Sequence, residues 1–254
     1  MIANYHTHTK RCGHASGEDR EYVEEAIKGG MKILGFSDHA PFVFKSGYVS
    51  GMRVSPAELD GYFSSLLSLK KEYERDIKIY IGFESEHIPE LLEDQIALLA
   101  DYPLDYLIMG EHFSESEEKN SPHYNGANVT HERLTRYVDV VIEGLASGRY
   151  KYLAHPDMPR AEKDEHFEKE FTRLCTFMKE NSIPIEVNML GYATKRNYPC
   201  EEFMRIAARV GNTAIIGCDA HSPAYLSDLE KQRSVRAFAE NFGLNIIETL
   251  PGLD

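Results

Sequence analysis

Apolar residues gather in eight short runs separated by longer amphipathic stretches. The runs are residues 1–7, 32–38 (KILGFSD), 77–86 (IKIYIGFESE), 105–112 (DYLIMGEH), 150–155 (YKYLAH), 183–190 (IPIEVNML), 213–221 (TAIIGCDAH) and 244–251 (LNIIETLP). Their apolar content is nearly continuous rather than alternating, the pattern of parallel strands covered on both faces. The intervening stretches carry helix signals. Ser55-Pro56-Ala57-Glu58 combines an N-cap, a first-turn proline and a capping-box glutamate. After Thr130, the residues Leu134, Val138, Val141, Ile142 and Leu145 fall at helical spacing. Ser222-Pro223 repeats the cap-and-proline signature ahead of 224–242, and Gly30, Gly148 and Gly211 stand where helix C-caps belong. Seven or eight βα units predict an α/β barrel of parallel strands, with an open doubly wound sheet as the alternative. No repeat or linker interrupts the pattern, so residues 1–254 are read as one domain.

Polar chemistry sits at one end of those runs. His6 and His8 end the first, Asp38-His39 the second, Glu84 the third and His112 the fourth; His155 ends the fifth, and Asp219 with His221 ends 213–221. In a barrel these are the C-terminal strand ends, where active-site residues gather. Residues i and i+2 of a strand share a face, so His6 with His8, and Asp219 with His221, can grip one ion together. A carboxylate such as Glu84 can bridge two cations, and neutral imidazoles suit zinc, iron or manganese. A lone His112 or His155 is more often a hydrogen-bonded structural histidine; the joint pattern is what argues for a metal centre. Glu86, on the same strand face, rivals Glu84. His87, His123, His131 and His166 fall in helical or loop contexts and are read as solvated or capping residues, although His123 can face the site.

The acidic excess, 41 Asp and Glu against 28 Lys and Arg, disfavours nucleic acid and anionic membranes as partners. No run reaches the roughly 18 apolar residues of a membrane span. The start lacks the apolar core of a signal peptide. Cys12, Cys175, Cys200 and Cys218 form no C-x-x-C pair, so they read as reduced thiols of a cytoplasmic protein, with Cys12 near the histidines but not needed by them.

The stretches YHTHTKRCGHA, GFSDHAPF, GFESE, GEHF, AHPD and CDAH, in that order, make the chain resemble the PHP (polymerase and histidinol phosphatase) family, and most closely its histidinol-phosphatase branch. The resemblance implies a distorted (β/α)7 barrel with its active site at the C-terminal strand ends and three divalent ions (zinc, iron or manganese). One ion would take His6, His8, Glu84 and Asp219; a second would share Glu84 and take His112 and His155; the third would take His14, His39 and His221. The implied activity is hydrolysis of L-histidinol phosphate in histidine biosynthesis, with a metal-held hydroxide attacking phosphorus and no phosphoenzyme. Glu84, Asp219 and His221 are the expected catalytic residues. Asp38 is expected to orient a ligand or relay a proton.

Arg160, Lys195 and Arg196 are candidate phosphate binders, since basic side chains on such loops match phosphate oxygens. Glu18 is a candidate partner for the substrate's amino group, and Phe42 with Phe44 for the leaving-group wall. The expected partner is a small phosphate monoester; oligomeric state cannot be read from the sequence. Competing readings are another PHP phosphoesterase, acting on nucleotide or phosphotyrosine monoesters, and a non-catalytic metal- or phosphate-binding protein.

Overall fold

A computed structural model describes residues 1–126 and 128–253. Its strands are β1 (Ala3–Asn4), β2 (Ile33–His39), β3 (Lys78–Ser85), β4 (Tyr106–Met109), β5 (Ile185–Asn188), β6 (Thr213–Gly217) and β7 (Asn245–Ile246). All pair in parallel, as β1-β2-β3-β4 and β5-β6-β7. The run at 150–155 is not a full strand, yet Leu153 bridges to both Met109 and Ile185 and so joins the two sheets. On the other side Thr7 bridges to Ala220, with His8 N–H donating to the Ala220 carbonyl at 3.0 Å. The sheet therefore curls into a distorted barrel rather than an open sheet.

The helices α1 (Asp19–Lys28), α2 (Leu59–Glu72), α3 (Pro89–Leu99), α4 (His131–Ala146), α5 (Glu165–Glu180), α6 (Met189–Ala193), α7 (Glu201–Val210) and α8 (Leu229–Asn241) occupy the amphipathic stretches. Ser55 accepts from Ala57 N–H and opens a 3₁₀ turn that runs into α2, while Thr130 caps α4 by accepting from Arg133 N–H. The expectation at Ser222-Pro223 is corrected: a 3₁₀ turn forms over Pro223–Ser227, and α8 starts only after Asp228, whose side chain accepts from Lys231 N–H. Gly30, Gly148 and Gly211 all take left-handed φ after their helices, as C-cap positions require.

Period-2 alternation places the site. Inward positions of β3 read Tyr80, Gly82, Glu84; those of β4 and its extension read Tyr106, Ile108, Gly110, His112; those of β6 and its extension read Ile215, Gly217, Asp219. Ile33, Tyr80, Tyr106, Ile108 and Ile215 belong to one buried apolar cluster that plugs the N-terminal end of the barrel. Above it, glycines leave room for acidic side chains: a Cβ on Gly110 would strike the Glu84 carboxylate, and one on Gly217 that of Glu186. Next come the metal-type ligands. A larger core cluster, which includes Phe36, Leu66, Val138, Phe171 and Val187, packs helices against the barrel's outer face.

Candidate metal centre

Glu84 lies at the middle of the C-terminal mouth, 1% exposed. Its Oε2 is 3.5 Å from His6 Nε2, 3.6 Å from His8 Nε2 and 3.3 Å from His39 Nδ1. Its Oε1 is 2.7 Å from His155 Nε2 and 3.4 Å from His112 Nε2. Asp219 Oδ1 lies 3.6 Å from His6 Nε2, 3.2 Å from His8 Nε2 and 3.2 Å from His221 Nδ1. His221 Nε2 and His14 Nε2 face each other at 3.0 Å. All nine side chains singled out in the sequence thus meet around one space.

Whether they suit metal ions can be judged from their unsatisfied atoms. His6 Nε2, His8 Nε2 and His39 Nδ1 are buried and make no hydrogen bond. Leaving such groups unpaired costs roughly 1–3 kcal/mol each. Their carboxylate neighbours lie at distances suited to sharing a cation, and imidazole with carboxylate is a donor set for zinc, manganese or iron. Potential ligand atoms also approach within 4.8 Å of one another in the groups His6–His8–Glu84, His6–His155–Asp219 and His14–His39–His221. His39 further joins Glu84 and His112, so besides completing the group with His14 and His221 it borders a second one. Cys12, buried, comes within the same reach of His8 and His221, with its Sγ 3.2 Å from the Thr9 carbonyl.

A second layer holds the imidazoles by their other nitrogen. His6 Nδ1 lies 2.7 Å from Glu186 Oε1, His8 Nδ1 3.4 Å from Asp38 Oδ1, and His112 Nδ1 2.8 Å from Glu86 Oε1. Such pairing selects the tautomer that leaves Nε2 bare for a cation. Asp38 also accepts from Thr9 N–H and Oγ1–H and from His39 N–H. Glu86 is thus an orienting group, and Glu84 the central one. Glu186 was missed in the sequence, though a glutamate within the apolar run IPIEVNML was a usable signal. It also accepts from Asn188 Nδ2 and His155 N–H, while Asn188 reaches Asp219 Oδ2 at 3.1 Å.

The backbone is strained at two of these residues. His155 and Asp219 have φ of 31° and 50°, left-handed values that cost non-glycine residues on the order of 1–2 kcal/mol. Charge is concentrated as well. Burial disfavours the imidazolium of His6, but Glu186, Asp219 and Glu84 outweigh it and raise its pKa to about 10. Burial likewise opposes ionisation of Glu84 and Asp219, yet the surrounding imidazoles hold both well below the ordinary carboxylate range. Burial and the charge of His8 push the His39 pKa well below the ordinary imidazole value.

The centre opens into a cavity of about 280 Å³, walled by Met52, His123, Met158, Leu190, Arg196, Tyr198, Ser222 and Tyr225. Of the substrate-facing candidates only Arg196 lines it, with its Nη1 donating to the Tyr198 hydroxyl at 2.6 Å. Arg160 is exposed and outside the cavity wall, with its backbone tied to Tyr124 and Val129. Lys195 faces a separate groove with Asp228 and Lys231. Glu18 sits at the start of α1, paired with Lys10 at 2.6 Å, in another groove. Phe42 packs under the Arg53 guanidinium, 4.8 Å from it, and with Phe44 lines an apolar hollow of its own. His123 does reach the cavity; burial and the nearby His112 and His155 lower its pKa to about 3.

The PHP domain family matches residues 4–190. A probable histidinol-phosphatase of Deinococcus radiodurans is 25% identical over 230 residues, 87% of each chain. The histidinol-phosphatase of Bacillus subtilis is 34% identical over 119 residues, 44% of each chain. The crystal structure of histidinol phosphate phosphatase from Lactococcus lactis, complexed with zinc, L-histidinol and phosphate, superimposes with a TM-score of 0.70 at 19% identity, covering 98% of this chain and 96% of that one. No helix among the described residues is long and apolar enough to cross a membrane.

Proposed function

The chain belongs to the PHP family, and on that footing we propose that it is a metal-dependent phosphatase whose substrate is L-histidinol phosphate. One observation carries this reading: seven imidazoles and two carboxylates converge on a single space that opens into a cavity with an arginine on its wall. Divalent ions held there by His6, His8, His14, His39, Glu84, His112, His155, Asp219 and His221 supply Lewis acidity and a water nucleophile at neutral pH. A set of three, divided as the family resemblance implies, accounts for all nine side chains.

The chain's own groups do the rest. Asp38, Glu86 and Glu186 fix the rings of His8, His112 and His6, so the site changes little as charge moves to the leaving oxygen. Arg196, steadied by Tyr198, offers a cationic fork to a phosphate oxygen. Tyr225, Leu190, Met158 and Met52 form a largely apolar wall for the alcohol portion of the ester. The names of the matched relatives support histidinol phosphate over other monoesters. No nucleic-acid partner is expected of a chain with formal charge −13.

Steady-state kinetics across histidinol phosphate, a mononucleotide, a phosphotyrosine peptide and a simple aryl phosphate test the substrate. A kcat/KM highest by more than tenfold on histidinol phosphate is expected. Equal rates on all four would overturn that substrate while leaving a general phosphatase, and no turnover of any ester would overturn the enzyme reading.

A further inference from the structure

Arg53 lies between β2 and α2 and is 4% exposed, an expensive place for a cation unless it is fully paired. Its Nη1 and Nη2 donate to the two oxygens of Glu86 at 2.7 and 2.8 Å. Its Nε donates to Glu117 Oε2 at 3.2 Å, and Nη1 also lies 3.4 Å from the Ala40 carbonyl. Three segments distant in sequence are pinned by one side chain: the β2–α2 connection, the end of β3 and the segment after β4.

Two of these connections lead to the candidate site. The fork on Glu86 fixes the plane of that carboxylate, and Glu86 Oε1 in turn holds His112 Nδ1 at 2.8 Å. His112 is thereby turned so that its Nε2 faces Glu84 at 3.4 Å. Glu117 opens a 3₁₀ turn, Glu117–Lys119, on the segment that continues to His123. The His123 ring lies 5.6 Å from that of His112 and walls the cavity. Its Nδ1 accepts from Asn125 N–H at 3.0 Å, so its hydrogen is on Nε2 and that atom is a donor.

We propose that Arg53 is a positioning residue joining the metal side of the site to its substrate side: through Glu86 it orients His112, and through Glu117 it holds the segment bearing His123 against the cavity. This rests on reading the nine side chains as a metal centre. A lysine at 53 keeps the charge but offers one point where the guanidinium offers a planar fork, so it restores the function only in part.

The test compares Arg53→Met, Arg53→Lys and Glu117→Ala with the parent enzyme after loading with zinc or manganese. It measures metal content, metal loss to a competing chelator, melting temperature, and kcat and KM on p-nitrophenyl phosphate. Arg53→Met is expected to bind one ion about 10- to 100-fold more weakly, as for other lost orienting partners, while the remaining ions stay bound. Its KM should also rise, and Arg53→Lys should recover part of both losses. Glu117→Ala should keep its metals yet raise KM. Parent-like metal affinity and KM in Arg53→Met overturn the proposal, as does loss of every ion together with the fold in both Arg53 variants. If Arg53→Met alone fails to fold, parent-like metal affinity in Arg53→Lys with parent-like KM in Glu117→Ala does the same. A parent enzyme that binds no divalent ion would instead overturn the metal-centre reading itself.

Discussion

Glu84→Gln keeps the size of the side chain and removes one charge from the middle of the site. Five imidazoles approach its two oxygens, at 2.7 to 3.6 Å, so no other residue of the site faces as many candidate ligands. With an effective dielectric constant of 20, a unit charge about 4 Å from another contributes ~4 kcal/mol. At roughly 1.4 kcal/mol per tenfold, that is about three decades of affinity for each cation the carboxylate touches, and a divalent ion increases the leverage. If Glu84 serves two ions, both should be affected. Elemental analysis after chelator competition reads the loss directly, with His131→Ala as the control, because that imidazole is largely exposed, bonds Asp164 at 2.7 Å and stacks on His166, outside the group of nine. Two ions lost from Glu84→Gln and none from His131→Ala is the expected result. A glutamine variant that holds its ions as tightly as the control would refute the central place given to Glu84.

Three further outcomes follow from the same geometry. With its pKa raised to about 10, above the ordinary imidazole value, His6 carries a proton in the metal-free chain at pH 7.5 and must release it to ligate; metal affinity should therefore climb with pH by up to roughly one decade per unit for each proton released, and binding heats should differ between buffers of different ionisation enthalpy, whereas buffer-independent heats would count against ligation by His6. Asp157 is buried, with Oδ2 accepting from Cys200 N–H at 2.5 Å, and burial raises its pKa to about 6, so the folded chain binds the extra proton and stability falls as pH rises from about 4 to 6. Asp157→Asn should accordingly match the parent near pH 4 and exceed it above pH 6 by on the order of 3 kcal/mol in denaturant melts; a pH-independent difference would contradict this. Arg196→Ala should lower kcat/KM for every phosphate ester by about 10- to 100-fold, the cost of a lost charged hydrogen bond, while Arg160→Ala should change it by less than about twofold; the reverse order would put the phosphate beside Arg160.

The two scales of information in the chain explain which of these features could be read in advance. Ligands close in sequence are local: His6 and His8 follow β1, and Asp219 and His221 follow β6, each pair two residues apart, so the strand end brings both members to the mouth of the barrel even though Asp219 itself turns left-handed. The layered order was also present, in Gly82-Phe83-Glu84, Gly110-Glu111-His112 and Gly217-Cys218-Asp219, where each glycine sits one inward step below a metal-type ligand. At two of the three the spacing reflects the need for empty space, Gly110 beneath the Glu84 carboxylate and Gly217 beneath that of Glu186, whereas Gly82 makes room for the Tyr106 ring. The orienting acids were harder because their partners are remote. Glu186 meets His6 across 180 residues, and Arg53 meets Glu86 across 33, so neither pairing leaves a periodic trace.

The loops were the least legible, for a related physical reason. A side chain on a strand end inherits its direction from the sheet, whereas one on a βα loop is aimed by whichever contacts the loop finds. Glu18 found Lys10 and the start of α1, Phe42 found Arg53, and Lys195 found the groove beside Asp228. Arg196, next to Lys195 in sequence, found Tyr198 and so came to the cavity. Adjacent cations of the same charge thus face different grooves, and charge alone could not have separated them. The same reasoning gives Arg53 its interest: it lies in a connection, but its guanidinium is anchored on Glu86 and the Ala40 carbonyl, which directly follow β3 and β2, and from there it holds Glu117 on the loop after β4. A loop aimed by a buried fork is as firmly placed as a strand, and a site that must hold an ester against fixed ligands needs a wall of that kind.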